Sequence, residues 1–461
     1  MDATELAYAG AAVQARMISA GEVSAREVVQ ASLDRVARLD PRLNAFRVVL
    51  AERALMEADQ ADGRRGAGET RPLLGVPVAV KDDVDVAGEV TALGTAAHGG
   101  PAAADCEAVR RLRSAGAIVV GKTNVPELMM WPFTETLTFG ATRNPWSLGH
   151  TPGGSSGGSG AAAAAGLCGV ALGSDGAGSI RIPAAFCGLF GIKPQRGRVP
   201  TAPKVDSWQG LNHLGPLART VADAALFLDA TADGVPDGGY VAAASRLPGR
   251  LRVAVCSNLP PGVIARLGAP QRAALDAMAN LLGSLGHEVS ERSIDYGPAL
   301  FPSILTRHMR GIRDDLATVP HPERLEPRTR AMGRLAGLLP DGALARARAA
   351  EAGISARINT IFDHADVVLA PGPAGPPFRV GAFHGHGALW TINGSEARVP
   401  YYGAFNVTGQ PAASIPAGFD DDGLPLAVQL VGRPDDEATL LALSTQVEMA
   451  RPWADQRPPL G

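Results

Sequence analysis

The stretch Thr151–Pro183, TPGGSSGGSGAAAAAGLCGVALGSDGAGSIRIP, decides how the rest of the chain is read. Two Gly-Ser clusters, Gly153–Gly158 and Gly176–Ser179, bracket an alanine-rich run. Glycine costs about 1 kcal/mol relative to alanine inside a helix, so these clusters predict backbone that bends or exposes its N–H groups, outside any helix or strand interior. Ala161–Ala165 predict a short helix pressed against its neighbours, because alanine is the best helix former and has no bulk. Leu167–Leu172 predict a short buried strand, with Gly173–Ser179 as the loop at its end. Each cluster then presents a serine, and the two can meet in space. A flexible linker has similar composition. It would not lead at once into an apolar strand and then Ser179-Ile180-Arg181-Ile182-Pro183. No Gly-Lys-Ser or Gly-Lys-Thr closes the run, which excludes a phosphate loop, and the dinucleotide-binding pattern is absent as well.

Upstream, Leu74–Val80 is a nearly continuous apolar run that predicts a strand buried on both faces and delivers Lys81 at its end. Lysines are rarely buried without a partner. Lys81 is therefore either one half of an ion pair with Asp82, Asp83 or Asp85, or an amine with chemical work to do; the two serines favour the second reading.

Together these residues resemble the amidase signature family. Its pattern is a GGSSGG cluster, a downstream Gly-Gly-Ser-Ile-Arg-x-Pro segment, and an upstream lysine closing an apolar run. Ser155 and Ser179 keep the family spacing of 24 positions. Matching flanks run from Leu73 to Pro194, with a looser match over Gly423–Glu448. The resemblance implies an α/β fold with a large mixed central β-sheet covered by helices on both faces. It also implies hydrolysis of carboxylic amides through an acyl-enzyme, with Ser179 as nucleophile, Ser155 as relay after a cis Gly154–Ser155 peptide, and Lys81 as general base and acid. The backbone N–H groups of Gly176, Ala177 and Gly178 would form an oxyanion hole. Ala177 stands where the family mostly has glycine, and a left-handed φ there would strain the hole. Lys81 can act as a base only when neutral; burial favours that form, and Asp82 and Asp83 must point away or be paired elsewhere. Asp175 and Arg181 flank the loop and are read as a pair that fixes its shape.

Met129, Met130, Trp131 and Phe133 match the family's channel-lining stretch and are read as walls of an apolar, adaptable substrate pocket. Apolar acyl or aryl amides are the preferred substrates on this reading, with ester and carbamate hydrolysis as side activities. The chain reads as one domain over 1–461, with N-terminal helices in 1–62, a catalytic core in 71–200 and a substrate-shaping region in 300–400. Ser24-Ala25-Arg26-Glu27 is a capping box that opens an amphipathic helix ending before Pro41, and a second helix covers Ala51–Ala61 before a surface loop at Gly63–Arg71. Asp105–Ser114 and Ala117–Gly121 continue the helix and strand alternation.

The 461 residues carry a formal charge of -3, which gives no electrostatic case for nucleic acid or an anionic membrane. No apolar run approaches the length of about 20 residues that spans a bilayer, and the N-terminus lacks a basic and then apolar leader, so a soluble cytoplasmic protein is predicted, monomeric or homodimeric. Cys106, Cys168, Cys187 and Cys256 form no CxxC pair and share no zinc-like spacing with histidine; no metal and no cofactor are predicted, and the thiols are read as reduced and buried.

Three other readings compete. Gly153–Gly157 also satisfies the Gly-x-Ser-x-Gly elbow of α/β hydrolases, but that elbow needs an apolar strand directly before it and a histidine partner, and Asn144–His150 is no such strand. The glutamine amidase component of a tRNA-dependent amidotransferase is disfavoured by the apolar Met129–Phe133 stretch. A non-catalytic binding protein on the same fold is disfavoured by the intact Lys81, Ser155 and Ser179.

Overall fold

The computed structural model describes residues 2–460. Its strands in chain order are β1 (Phe46–Val49), β2 (Pro77–Lys81), β3 (Ile118–Thr123), β4 (Glu135–Thr136), β5 (Gly140–Ala141), β6 (Val170–Asp175), β7 (Phe190–Lys193), β8 (His213–Ala218), β9 (Arg252–Val255), β10 (Glu288–Glu291), β11 (Val367–Pro371), β12 (Ala412–Phe419) and β13 (Pro425–Val431). β4 and β5 pair only with each other. The remaining eleven form one sheet in the order β1-β3-β2-β6-β8-β7-β12-β13-β11-β9-β10. β2 lies parallel to both β3 and β6, β9 is parallel to β10 and β11, and the middle of the sheet is antiparallel. This is the large mixed sheet expected. Strands β2, β3, β6 and β13 are buried at every position, as runs of Val, Ile, Leu and Ala covered on both faces must be.

The order places β2 and β6 side by side, with Val78, Ala79 and Val80 opposite Val170, Ala171 and Leu172. The C-terminal ends of two parallel neighbours therefore meet, and Lys81 arrives beside Ser174 and Asp175. β6 runs further than its apolar stretch predicts: it starts at Val170, after a turn through Leu167–Gly169, and carries Ser174 and Asp175 as its last residues.

The helix of the alanine run spans Gly157–Ala164, so the last two residues of the first Gly-Ser cluster are helical, contrary to its composition. Contact distance explains this. A Cβ on Gly158 would sit 2.4 Å from the Ala45 carbonyl oxygen and 2.5 Å from the Asn124 nitrogen, and one on Gly157 would strike the Thr134 hydroxyl at 2.1 Å. These glycines let a helix start against two neighbouring backbones, and the close packing offsets their low propensity.

The capping box is formed as read, with Ser24 and Glu27 each bonded to the other's backbone N–H. Its helix does not stop before Pro41 but runs over Ala25–Leu43. Pro41 falls in the last turn, where its missing N–H costs a single bond, and left-handed Asn44 closes the helix beyond it. The second helix also overruns its prediction, Ala51–Gly66, with Arg64 and Arg65 in the last turn, where their charge favours the helix C-terminus. Between 300 and 360 the chain is helical: Leu300–Thr318, Pro327–Gly337, Asp341–Ala349 and Glu351–Asn359.

Candidate active site

Lys81 is fully buried at the end of β2. Its Nζ lies 2.8 Å from Ser155 Oγ, 2.6 Å from Ser174 Oγ and 3.4 Å from the Ser174 carbonyl oxygen. Burial lowers its pKa, and the Asp83 carboxylate opposes that shift. The two aspartates after the lysine part company. Asp82 turns to the far side, where Arg47 Nε donates to it at 2.5 Å and Lys122 Nζ lies 3.0 Å away. Asp83 does not point away as expected: its Oδ2 is 3.5 Å from Lys81 Nζ and accepts from Ser174 Oγ at 2.5 Å. Successive residues leaving a strand face opposite sides, so one of two adjacent aspartates must share the lysine's side.

The adjacent serines also divide. Ser155 follows the cis Gly154–Ser155 peptide and meets the lysine. Ser156 turns the other way, its hydroxyl donating to the Ser174 carbonyl at 3.0 Å and accepting from the Ser174 N–H at 3.2 Å. The Ser156 N–H donates to the Ser179 carbonyl at 3.2 Å, which ties the two Gly-Ser clusters together. No strand leads directly into Ser155, only turns, bends and isolated bridges over 142–154, so the elbow geometry is absent.

The loop Gly176–Ser179 is held from beneath. Asp175 and Arg181, both fully buried, pair at 2.9 and 3.0 Å through two guanidinium nitrogens. Asn406, Gln429 and the Tyr402 carbonyl take up the guanidinium's other three hydrogens at 2.7, 2.6 and 3.2 Å. Asp175 Oδ1 also accepts the Gly178 N–H at 2.6 Å. Of the three backbone donors read from the sequence, Gly178 is thus already engaged, a correction to its role. Gly176 and Ala177 have no protein acceptor among the described residues, and Ser179 shares that property. The alanine brings no strain: Gly178, at φ +118°, takes the left-handed position, and a Cβ there would strike Tyr402 at 2.8 Å.

Ser155, Ser174, Gly176, Ala177 and Ser179 open into one cleft with about 670 Å³ of empty space, its mouth included. Met129, Met130 and Trp131 line it as predicted, joined by Ile182 and Val399. Phe133 does not. It is fully buried behind the wall, 6.0 Å from the Trp131 ring and stacked on Phe383 at 4.5 Å. The rest of the lining is mostly polar: Lys204, Ser207, Asn212, His308, Asp315 and Glu396, with Trp208 among them. The pocket is therefore mixed in character where an apolar one was expected. Burial pushes the Asp315 carboxyl up to about 6 and the His308 imidazole down to about 4, so the histidine is neutral near pH 7. Sequence reading missed Ser174 and this polar lining. Ser174 carries a usable signal, a hydroxyl closing an apolar strand; the polar lining residues come from segments without motifs.

The buried amine, the serine bonded to it and the second serine thus meet at one cleft. The family model of the amidases matches residues 27–441. The protein named "Putative amidase AmiB2" of Mycobacterium tuberculosis (strain ATCC 25618 / H37Rv) is 56% identical over 459 residues, covering 99% of each chain. One component of the glutamyl-tRNA(Gln) amidotransferase of Synechococcus sp. (strain CC9902) is 36% identical over 475 residues, covering 95% of each. The solved structure of a 6-aminohexanoate cyclic dimer hydrolase complexed with substrate superposes with a TM-score of 0.89 at 32% identity, covering 98% of this chain and 99% of that one. The chain belongs to the amidase signature family, enzymes that hydrolyse amides. No helix among the described residues is long and apolar enough to cross a membrane.

Proposed function

We propose that the protein hydrolyses small carboxylic amides through an acyl-enzyme on Ser179, with Ser155 and Lys81 moving the proton. The observation that carries this reading is the fully buried Lys81 amine 2.8 Å from Ser155 Oγ, in a cleft that Ser179 also lines. A serine hydroxyl needs a base to attack a carbonyl near neutral pH. Neutral Lys81 takes the Ser155 proton as Ser155 takes that of Ser179, and Ser179 Oγ bonds to the amide carbon. The unpaired N–H groups of Gly176, Ala177 and Ser179 face the resulting oxyanion, and removal of one such donor typically costs about 3 to 4 kcal/mol. Lys81 returns its proton through Ser155 to the departing amine, and water then cleaves the ester by the same route.

The wall of Met129, Met130 and Trp131 favours an apolar acyl or aryl group against it, while the polar lining residues hold a hydrogen-bonding end of the substrate. Aryl esters and carbamates fit the same chemistry. The Synechococcus relative keeps the glutamine-amidase reading in view, but the apolar wall and the higher identity to AmiB2 support a stand-alone hydrolase. The test is release of arylamine from a panel of acyl anilides by purified protein. Turnover that Ser179→Ala abolishes supports the reading; release that requires glutamine and a co-purifying partner contradicts it.

A further inference from the structure

The base has a neighbour that the reaction above leaves without a task. We propose that Asp83 is a positioning residue for Lys81: its carboxylate takes the Ser174 hydroxyl hydrogen, which fixes the direction of every hydrogen in the chain Ser155–Lys81–Ser174–Asp83 and turns the amine's lone pair toward Ser155. The inference rests on the hydrolase reading and names a residue that reading does not use.

The geometry is a run of short contacts. Ser155 Oγ is 2.8 Å from Lys81 Nζ, Lys81 Nζ is 2.6 Å from Ser174 Oγ, and Ser174 Oγ is 2.5 Å from Asp83 Oδ2. A hydroxyl has one hydrogen, and an ionised carboxylate can only accept. Ser174 must therefore donate to Asp83 and can only accept from the lysine. The second lysine hydrogen has the Ser174 carbonyl at 3.4 Å. Both hydrogens of the neutral amine are then directed to Ser174, and the remaining direction, toward Ser155, holds the lone pair. Without the carboxylate, Ser174 is free to donate its hydrogen to that lone pair and silence the base.

The charge has a second effect. Asp83 and Asp175 both favour protonated Lys81, Lys204 opposes them, and Asp82 is occupied by Arg47 and Lys122 on the other side. Asp83 itself faces Lys81 at 3.5 Å, and Lys204 Nζ donates to its backbone carbonyl at 2.9 Å. Asp315 is the other acid that faces it across the cleft. An anion this close favours the charged amine, so its removal lowers the pH at which the base becomes competent.

The test is the limiting rate of fluorophosphonate labelling across pH, which reads serine activation without requiring the natural substrate. Wild type, Asp83→Asn, Asp83→Ala and Lys81→Ala are compared, with melting curves to confirm folding. Asp83→Asn keeps an acceptor for Ser174 and loses the charge; its acid limb moves to lower pH and its plateau falls less than that of Asp83→Ala. Asp83→Ala also loses the acceptor, and its plateau falls by about tenfold or more, within the range of general-base contributions. A merely structural role would lower the labelled fraction without moving the limb. A Lys81-dependent rate whose acid limb is the same in wild type and Asp83→Asn overturns this inference alone. A rate indifferent to Lys81 overturns it together with the hydrolase reading.

Discussion

Two fully buried lysines close adjacent strands, and their surroundings differ in one partner. Lys122, the neighbour of Val80 across β3 and β2, points to the opposite face from Lys81. Its Nζ has the Val90 carbonyl at 2.9 Å, Thr91 Oγ1 at 2.7 Å and Asp82 Oδ1 at 3.0 Å, three acceptors for the three hydrogens of an ammonium. Thr91 in turn donates to Asp85 at 2.7 Å, as Ser174 does to Asp83. Burial lowers both amines, so burial alone does not make a base. What separates them is the third partner. Lys122 has a carboxylate there, at 3.0 Å, and is a satisfied cation; Lys81 has the Ser155 hydroxyl, which can donate a proton, and its own carboxylate, Asp83, stands back at 3.5 Å.

The comparison breaks most directly by exchanging each lysine for methionine. Lys81→Met should cost between about 10²- and 10⁴-fold in kcat, the range of a lost general base, with a smaller loss of stability than Lys122→Met, because Asp83, 3.5 Å from the amine, keeps the Ser174 hydroxyl as its closer partner. Lys122→Met should do the reverse. Removing one partner of a buried pair typically costs about 3 to 5 kcal/mol, and Arg47 beside Asp82 places this variant at the lower end, as a urea denaturation curve would show. Equal loss of activity in the two variants would end the distinction.

Part of this contrast was legible before the structure. An apolar run ending in lysine, two glycine-flanked serines and an Asp175–Arg181 pair all stand where the sequence reading put them, because each is fixed by short-range pattern. The partner of Asp83 was not legible: strand alternation puts Asp83 on the side of Lys81, but Ser174, whose hydroxyl it accepts, comes from β6, which only the sheet order brings beside β2. Nor was the polar lining of Lys204, Asn212, His308, Asp315 and Glu396, gathered from segments far apart in the chain with no spacing to betray them. Phe133 was misplaced for the opposite reason, since an aromatic beside pocket residues carries the same local signal whether it lines the cleft or backs it.

Two smaller effects sharpen the comparison. As pH falls through the Lys81 pKa the amine charges and kcat/KM should decline along a single limb, since Lys81 must be neutral to accept a proton; Lys122→Arg should leave that limb in place. Met130→Ala, at the apolar wall, should raise KM for an acyl anilide by about threefold to tenfold, the worth of a few lost methylene contacts, with the limb again unmoved.

The central claim, that Ser179 is the nucleophile and Lys81 its distant base, is tested most directly by locating a fluorophosphonate adduct by peptide mass spectrometry in wild type and in Lys81→Ala. The account predicts an adduct on Ser179 that forms in wild type and is strongly reduced in the variant. An adduct on Ser155 or Ser156, or one on Ser179 that forms equally fast without Lys81, would contradict it.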